Sequence, residues 1–147
     1  MTGTTFSLGE SKHERVEVTI SSYERRELSG EYYDDNWLAV EVSVAAGGFK
    51  GHFRSSFLTA ELVTFRDQIA ALYKSLKGEA KLATMETQLF LSLTGNGRGG
   101  ILLKGEASDQ PGIGNRLKFG FQLDQTHLAI TLGGLDAAIE RFAARAG

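Results

Sequence analysis

The sequence predicts one α+β domain, residues 1–147, built mostly on an antiparallel β-sheet or sandwich of about seven to eight strands. Three observations predict this class. Apolar and polar residues alternate in several short segments, two segments carry apolar residues at helical spacing, and eighteen glycines against one proline indicate tight turns. The order strands, helix, strands, helix, with hairpin-like links, argues against a parallel α/β fold.

The pattern of the N-terminal third predicts a loose arm or an edge strand, then a strand and a hairpin. Residues 1–12 carry little pattern, so they are expected to form a loose arm or an edge strand. A half-buried strand begins at Val16, and after a loop a second strand covers 37–46. Gly47-Gly48 suits a two-residue turn, because glycine readily takes the positive φ that such a turn needs. The return strand follows from Phe49.

A central amphipathic helix is predicted over about 60–77. Thr59 is the expected N-cap, and Glu61 complements the helix dipole in the first turn. Gly78 is the expected left-handed stop. One apolar face steps by three and four residues, so the helix should lie across a sheet. This face consists of Leu62, Phe65, Ile69, Leu72 and Leu76.

The second half predicts more strands and a C-terminal helix, with no internal repeat. Strands are expected at 81–84, 86–94, 101–107 and 117–123. Two interpretations stay open for residues 126–133. Helical spacing of apolar residues favours one helix from about 126 to 144, whereas Gly133-Gly134 favours a strand ending there and a helix beginning at Leu135.

Composition excludes several classes of function. The chain has no cysteine, which rules out disulfides and thiolate chemistry. Its N-terminus lacks the pattern of a signal peptide, and no apolar run approaches the length of a membrane span. A net charge of −2 argues against a general nucleic-acid binder. We therefore expect a cytoplasmic protein that binds neither membranes nor nucleic acid directly.

No motif predicts catalysis, a metal site or a cofactor. Gly95, Gly97 and Gly100 match the spacing of a dinucleotide fingerprint, but a strand follows them where that site needs a helix. The three histidines, His13, His52 and His127, do not have the spacing of metal ligands. His52 and His127 could perform acid–base chemistry only if the fold brought them together. We predict no enzyme, no cofactor and no metal.

Three polar or aromatic positions are expected to be structural. Asp124 and Thr126 follow a strong strand, where a helix cap or turn residue would satisfy backbone amides. Trp37 begins a strictly alternating strand and is expected to anchor it in the core.

One short run is the candidate contact surface for a partner. Tyrosines beside carboxylates are typical of surfaces that grip a positively charged protein. The run consists of Glu31, Tyr32, Tyr33, Asp34 and Asp35.

The chain resembles the WapI-type family of small bacterial immunity proteins. The resemblance covers roughly residues 14–143 and depends on the order and spacing of four short motifs. The motifs are Asp35-Asn36-Trp37-Leu38-x-Val40-x-Val42, Glu61-Leu62 at a helix start, Gly78-x-Ala80 with Glu86, and Leu117-x-Phe119-x-Phe121-x-x-Asp124-Gln125-Thr126-x-Leu128.

The resemblance implies a cytoplasmic protein that binds and neutralises a cognate toxin domain, which for the family's namesake cleaves tRNA. A nuclease toxin has a basic cleft, and the carboxylates of Glu31, Asp34 and Asp35 suit it. Two alternatives stay open: a small-molecule-binding or enzymatic α+β domain, and a homo-oligomeric structural protein paired through an edge strand.

Overall fold

The structure is a computed structural model that describes residues 3–145. The first half of the chain forms a four-stranded antiparallel sheet in the order β1-β2-β3-β4 and then a helix. A single helical turn, α1, lies in the connection between β2 and β3. The elements are β1 Thr4–Ser11, β2 Glu14–Tyr23, α1 Tyr32–Asp35, β3 Trp37–Ala46, β4 Phe49–Leu58 and α2 Thr59–Ser75.

The second half repeats this order of elements. A second four-stranded antiparallel sheet, β5-β6-β7-β8, is followed by a helix of 17 residues, the same length as α2. Its elements are β5 Lys77–Ala83, β6 Leu89–Asn96, β7 Gly100–Ser108, β8 Arg116–Asp124 and α3 Gln125–Arg141. The α+β class and the eight strands confirm the prediction. The two halves share their order of elements, although the sequence shows no internal repeat.

The hairpin from β3 to β4 forms as the alternation predicts. Ala46 pairs with Phe49 across a two-residue turn, in which Gly47 has a φ of 63°. Apolar residues of both sheets and both long helices then form one core. The fully buried aromatic and larger aliphatic side chains of this core include Phe6, Phe57, Phe65, Leu38, Ile69, Leu82, Leu89 and Leu91.

Each long helix covers the outer strand of the sheet from the other half. Helix α3 lies along β1, where the Thr131 hydroxyl donates a 2.7 Å hydrogen bond to the Ser7 carbonyl. Helix α2 lies along β5, where the Gln68 side-chain oxygen accepts a 2.7 Å bond from the Lys81 amide. The outermost strands β1 and β5 are thereby shielded from pairing with other chains.

The N-terminal region is an edge strand from Thr4, and its close approach to α3 explains Gly134. A Cβ on Gly134 would lie 2.7 Å from the Thr5 carbonyl oxygen and 2.8 Å from the Phe6 Cα. Glycine therefore lets α3 approach β1 more closely than alanine would permit. The interpretation of 126–133 as one helix is confirmed, and the strand ending at Gly133 is wrong.

The ends of α2 differ from the predicted caps. Leu58 and not Thr59 is the N-cap, and Glu61 reaches back to accept a 2.7 Å bond from the Leu58 amide. At the other end, Leu76 takes the left-handed conformation with a φ of 64°, two residues before the predicted stop at Gly78. The chain enters β5 directly after this turn, so Gly78 belongs to a strand.

Candidate functional site

The candidate contact surface is the one-turn helix α1 and the residue before it. Glu31 and Asp34 are exposed, and Tyr32 and Tyr33 are 45% and 60% exposed. The two rings contact each other edge to face, with centroids 5.7 Å apart. We call Glu31, Tyr32, Tyr33 and Asp34 the acidic–aromatic turn.

Asp35, the last residue of the predicted run, is buried. Its carboxylate accepts hydrogen bonds from the Ser29 amide at 2.7 Å, the Ser29 hydroxyl at 2.8 Å and the Gly30 amide at 3.1 Å. These bonds fold the loop over the start of α1. Asp35 therefore has a structural role, and its carboxylate does not face a partner.

The surroundings of Asp35 favour its charged form. The Ser29 amide above all, with the Ser29 hydroxyl, the Gly30 amide and the charge of Arg145, holds the pKa of the Asp35 carboxyl below its usual range, although burial acts in the opposite direction. The loop therefore has a fixed negative charge at its base at neutral pH.

Residues 143–145, which follow α3, return to this loop. The Arg145 amide donates to the Asn36 side-chain oxygen at 2.7 Å, and the Asn36 side-chain amide donates to the Arg145 carbonyl at 2.9 Å. Asn36 is fully buried and also donates to the Tyr32 carbonyl at 2.8 Å. The backbone of residue 145 is thus joined to the end of α1. We call residues 143–145 the C-terminal latch.

The Arg145 side chain fastens the rest of the loop. Its guanidinium lies 3.8 Å from the centre of the Tyr23 ring and donates to the Asp35 carbonyl at 2.7 Å and the Arg25 carbonyl at 2.8 Å. The Tyr23 hydroxyl in turn donates to the Ala143 carbonyl at 2.6 Å. One arginine therefore joins the end of β2, the loop and α1.

Sequence reasoning did not identify Arg145, Ser29 or Tyr23 as parts of this site. No local pattern points to Arg145, because its partners lie more than a hundred residues earlier in the chain.

The three residues predicted to be structural differ in their burial and in their position within their strand or helix. Trp37 begins β3 but is only half-buried, so it is not a core anchor. Asp124 occupies the N-cap position of α3, yet its carboxylate makes no capping hydrogen bond. Thr126 is exposed in the first turn of α3.

The structure does not bring His52 and His127 together. His52 lies on the exposed face of β4, with its Nε2 3.5 Å from a Glu41 carboxylate oxygen. His127 is buried on α3, and its Nε2 lies 3.3 Å from the Ser7 carbonyl oxygen. The acid–base pair weighed from the sequence is therefore not formed.

The surface carries open depressions beside Asp124 and His52. Asp124 borders one of about 510 Å³ near the β1–β2 turn, together with Glu10 and Arg98. His52 borders another of about 560 Å³ on the outer face of the first sheet, together with Arg15 and Lys50. These depressions are open to solvent and do not enclose a reactive group.

The glycine-rich segment is a hairpin, as predicted. Gly97 and Gly99 have φ of 83° and 101° in the turn between β6 and β7, and the Asn96 side chain accepts bonds from the amides of Arg98 and Gly100. A strand and not a helix follows Gly100, so the dinucleotide fingerprint has no phosphate-binding helix end.

Residues 3–145 were compared with the requirements of a membrane span and of a metal site. No helix there is long and apolar enough to span a bilayer. Within the same residues, no three histidine or carboxylate side chains are grouped so that they could hold a metal ion.

Comparison with known proteins gives one result for nearly the whole chain. A family model described as the immunity protein WapI-like family matches residues 7–143. A comparison with curated proteins finds none that matches.

Proposed function

Since the chain belongs to the WapI-like family of immunity proteins, we propose that it is a non-enzymatic cytoplasmic protein that neutralises a cognate toxin domain by stoichiometric binding. The match over residues 7–143 is the observation that carries this proposal. It is supported by the separation of His52 from His127 and by the absence, in residues 3–145, of a group of three side chains that could hold a metal ion.

We place the contact on the acidic–aromatic turn. Tyr32 and Tyr33 offer large amphipathic rings that lose little conformational entropy on binding, because each has only two side-chain torsions. The buried Asp35 carboxylate and the C-terminal latch hold the turn in shape before a partner arrives. Preorganisation of this kind raises affinity by reducing the entropy lost on association.

The two rings supply more of the affinity than the carboxylates do. Glu31 and Asp34 complement a basic cleft, but exposed Arg25 and Arg26 lie in the same loop, and the chain has a net charge of only −2. Charge at such a mixed surface mainly steers association and fixes orientation, whereas buried aromatic rings dominate binding energy.

The test is co-purification with the toxin domain encoded in the reading frame next to the gene for this chain. We expect a stable complex and protection of cells that express the toxin domain. Replacing Tyr32 and Tyr33 together by alanine should weaken the complex by about 100-fold or more. Failure of the wild-type chain to bind that domain would overturn the proposed function.

Matched control variants distinguish the loss of a contact on the acidic–aromatic turn from a general effect of mutation. Tyr73→Ala removes an exposed ring on α2, where 39% of the residue is accessible, and should leave binding unchanged. Asp34→Lys should slow association, whereas Glu79→Lys on the second sheet should not. Equal losses in Tyr73→Ala and in the double alanine variant would show that the contact lies elsewhere.

A further inference from the structure

Strand β8 ends the second sheet with open backbone groups. The Gln125 amide bonds to the Gly99 carbonyl and the Asp109 amide to the Asn115 carbonyl, which places the odd-numbered residues of this strand in hydrogen-bonded pairs with β7. The even-numbered residues therefore direct their amides and carbonyls away from β7. These residues are Arg116, Lys118, Gly120 and Gln122.

This edge has fewer hydrogen bonds to its outward backbone groups than β4, and it lacks the helix that covers β1 and β5. Helices cover β1 and β5, and on β4 the Gln88 side chain donates to the Arg54 carbonyl at 3.0 Å. For the even-numbered residues of β8, the described part of the chain provides no hydrogen bond to the outward backbone groups. An open strand of this length is a template for pairing with another strand.

The side chains of β8 are complementary to a second copy of the same strand. In an antiparallel pair centred on Gly120, Arg116 faces Asp124 of the second copy and Lys118 faces Gln122. Gly120 faces itself, so no side chains collide at the axis. Since no like charges stand directly opposite, Lys118 does not block this register as an edge lysine usually does.

Asp124 supplies an independent reason for this register. Its carboxylate is exposed at the N-cap of α3 but makes no capping hydrogen bond and no ion pair within residues 3–145. Arg116 is also half-exposed, and its contact with Glu106 is long at 3.9 Å. Pairing places Arg116 of one copy beside Asp124 of the other. Because the arrangement is symmetric, this contact occurs twice in the dimer.

The surfaces that flank the strand are complementary in the same way. At the Asp124 end the carboxylates of Glu10 and Glu14 outnumber Arg98, whereas at the Arg116 end Lys50 and His52 outnumber Asp109. In an antiparallel pair, each acidic flank meets the basic flank of the other copy. On the inner face, the half-buried Phe119 ring gains contact with Phe121 of the second copy.

We propose that the protein forms a symmetric dimer in which the β8 strands of two copies pair antiparallel about Gly120. The two second sheets join into one sheet of eight strands. This interface uses no residue of the acidic–aromatic turn, so it does not depend on the proposed function.

Cysteine pairs test the register directly, because the chain has no cysteine of its own. The double variant Lys118→Cys and Gln122→Cys should form disulfide-linked dimers on mild oxidation. Positions 118 and 122 of one strand are about 13 Å apart, too far for a bond within one copy. Each single variant should remain unlinked, because its cysteine faces a lysine or glutamine. Equal linking in the single and double variants would overturn this register.

Charge reversal tests the same contact without oxidation. Sedimentation equilibrium should give twice the chain mass for the wild type, and Arg116→Asp or Asp124→Arg should weaken the dimer by about tenfold or more. Combining the two reversals should restore it, whereas Arg54→Asp on the first sheet should have no effect. Circular dichroism checks that each variant is folded. A folded wild type that stays monomeric at high concentration, or that pairs through β8 with another protein only, overturns the proposal.

Discussion

Asn36 and Arg145 lie 109 residues apart in the sequence and exchange two hydrogen bonds, of 2.7 and 2.9 Å. The bonds run between the Asn36 side chain and the backbone of residue 145, so they fix the position of residue 145. The position of α1 is thereby tied to the C-terminal latch, and the shape of the acidic–aromatic turn depends on a residue remote from it in sequence.

Arg145→Ala should loosen the loop without unfolding the protein. The substitution removes the stacking on Tyr23 and the hydrogen bonds to the carbonyls of Asp35 and Arg25. Amides of residues 24–36 should then exchange with solvent about tenfold faster or more, whereas amides of the sheet interior should not. Hydrogen-exchange mass spectrometry measures this difference. Arg98→Ala, at the exposed β6–β7 turn, is the control and should change neither region.

Low pH should reduce the stability that the Asp35 carboxylate gives to the same loop. The pKa of Asp35 is lowered in the native state, so its carboxylate contributes stability that is fully present above the ordinary aspartate pKa of about 3.9 and is lost as the pH falls through the native pKa. Asp35→Asn should therefore destabilise the protein at pH 6 and much less at pH 2.5. Urea unfolding at both values checks this. A pH-independent difference between the two proteins would contradict the assigned role of the charge.

The paired glycines of α3 should respond in opposite directions to alanine. Gly133 has open space where the Cβ of an alanine would lie, so Gly133→Ala should stabilise the protein by about 0.5–1 kcal/mol through helix propensity. Gly134→Ala places the new carbon against the backbone of β1 and should destabilise by about 1–3 kcal/mol. Denaturant unfolding measures both changes, and each variant is the control for the other. A stabilising Gly134→Ala would show that α3 does not approach β1 this closely.

Glu61 joins the start of α2 to the β5–β6 turn. Its carboxylate accepts the Leu58 amide at 2.7 Å and the Met85 amide at 2.6 Å, while burial raises its pKa. Glu61→Ala leaves both amides without this acceptor and should cost about 1–3 kcal/mol of unfolding free energy, which denaturant unfolding measures. Glu61→Gln keeps one acceptor oxygen, so its loss should be smaller. Equal losses in the two variants would contradict a contribution from the retained oxygen.

The sequence predicted the strands and helices well because each has a strong local pattern. The hairpin at Gly47 and the apolar stripe of α2 follow from periodicity and turn chemistry alone. Periodicity does not say which strand a helix covers. The exchange of α2 and α3 between the two sheets is a long-range arrangement and could not be inferred in this way.

The same distinction between local patterns and long-range contacts applies to the candidate site. The exposed tyrosines could be expected from the acidic and aromatic composition of their run. The burial of Asp35 could not, since a carboxylate is buried only where donors such as the Ser29 amide surround it. Thr59 failed as the N-cap for a different reason: Glu61 satisfies the amide of Leu58, and the helix begins one residue earlier than a threonine cap requires.

The exchange of helices between the sheets gives the molecule the character of a dimer contained in one chain. A fragment ending at Ser75 would keep the first sheet but lose the helix that covers β1, and its own α2 would have lost β5. Two copies of such a half could satisfy each other by placing each helix on the other's outer strand. Leu76 alone connects α2 to β5, so the two halves of the chain are held together covalently and cannot separate.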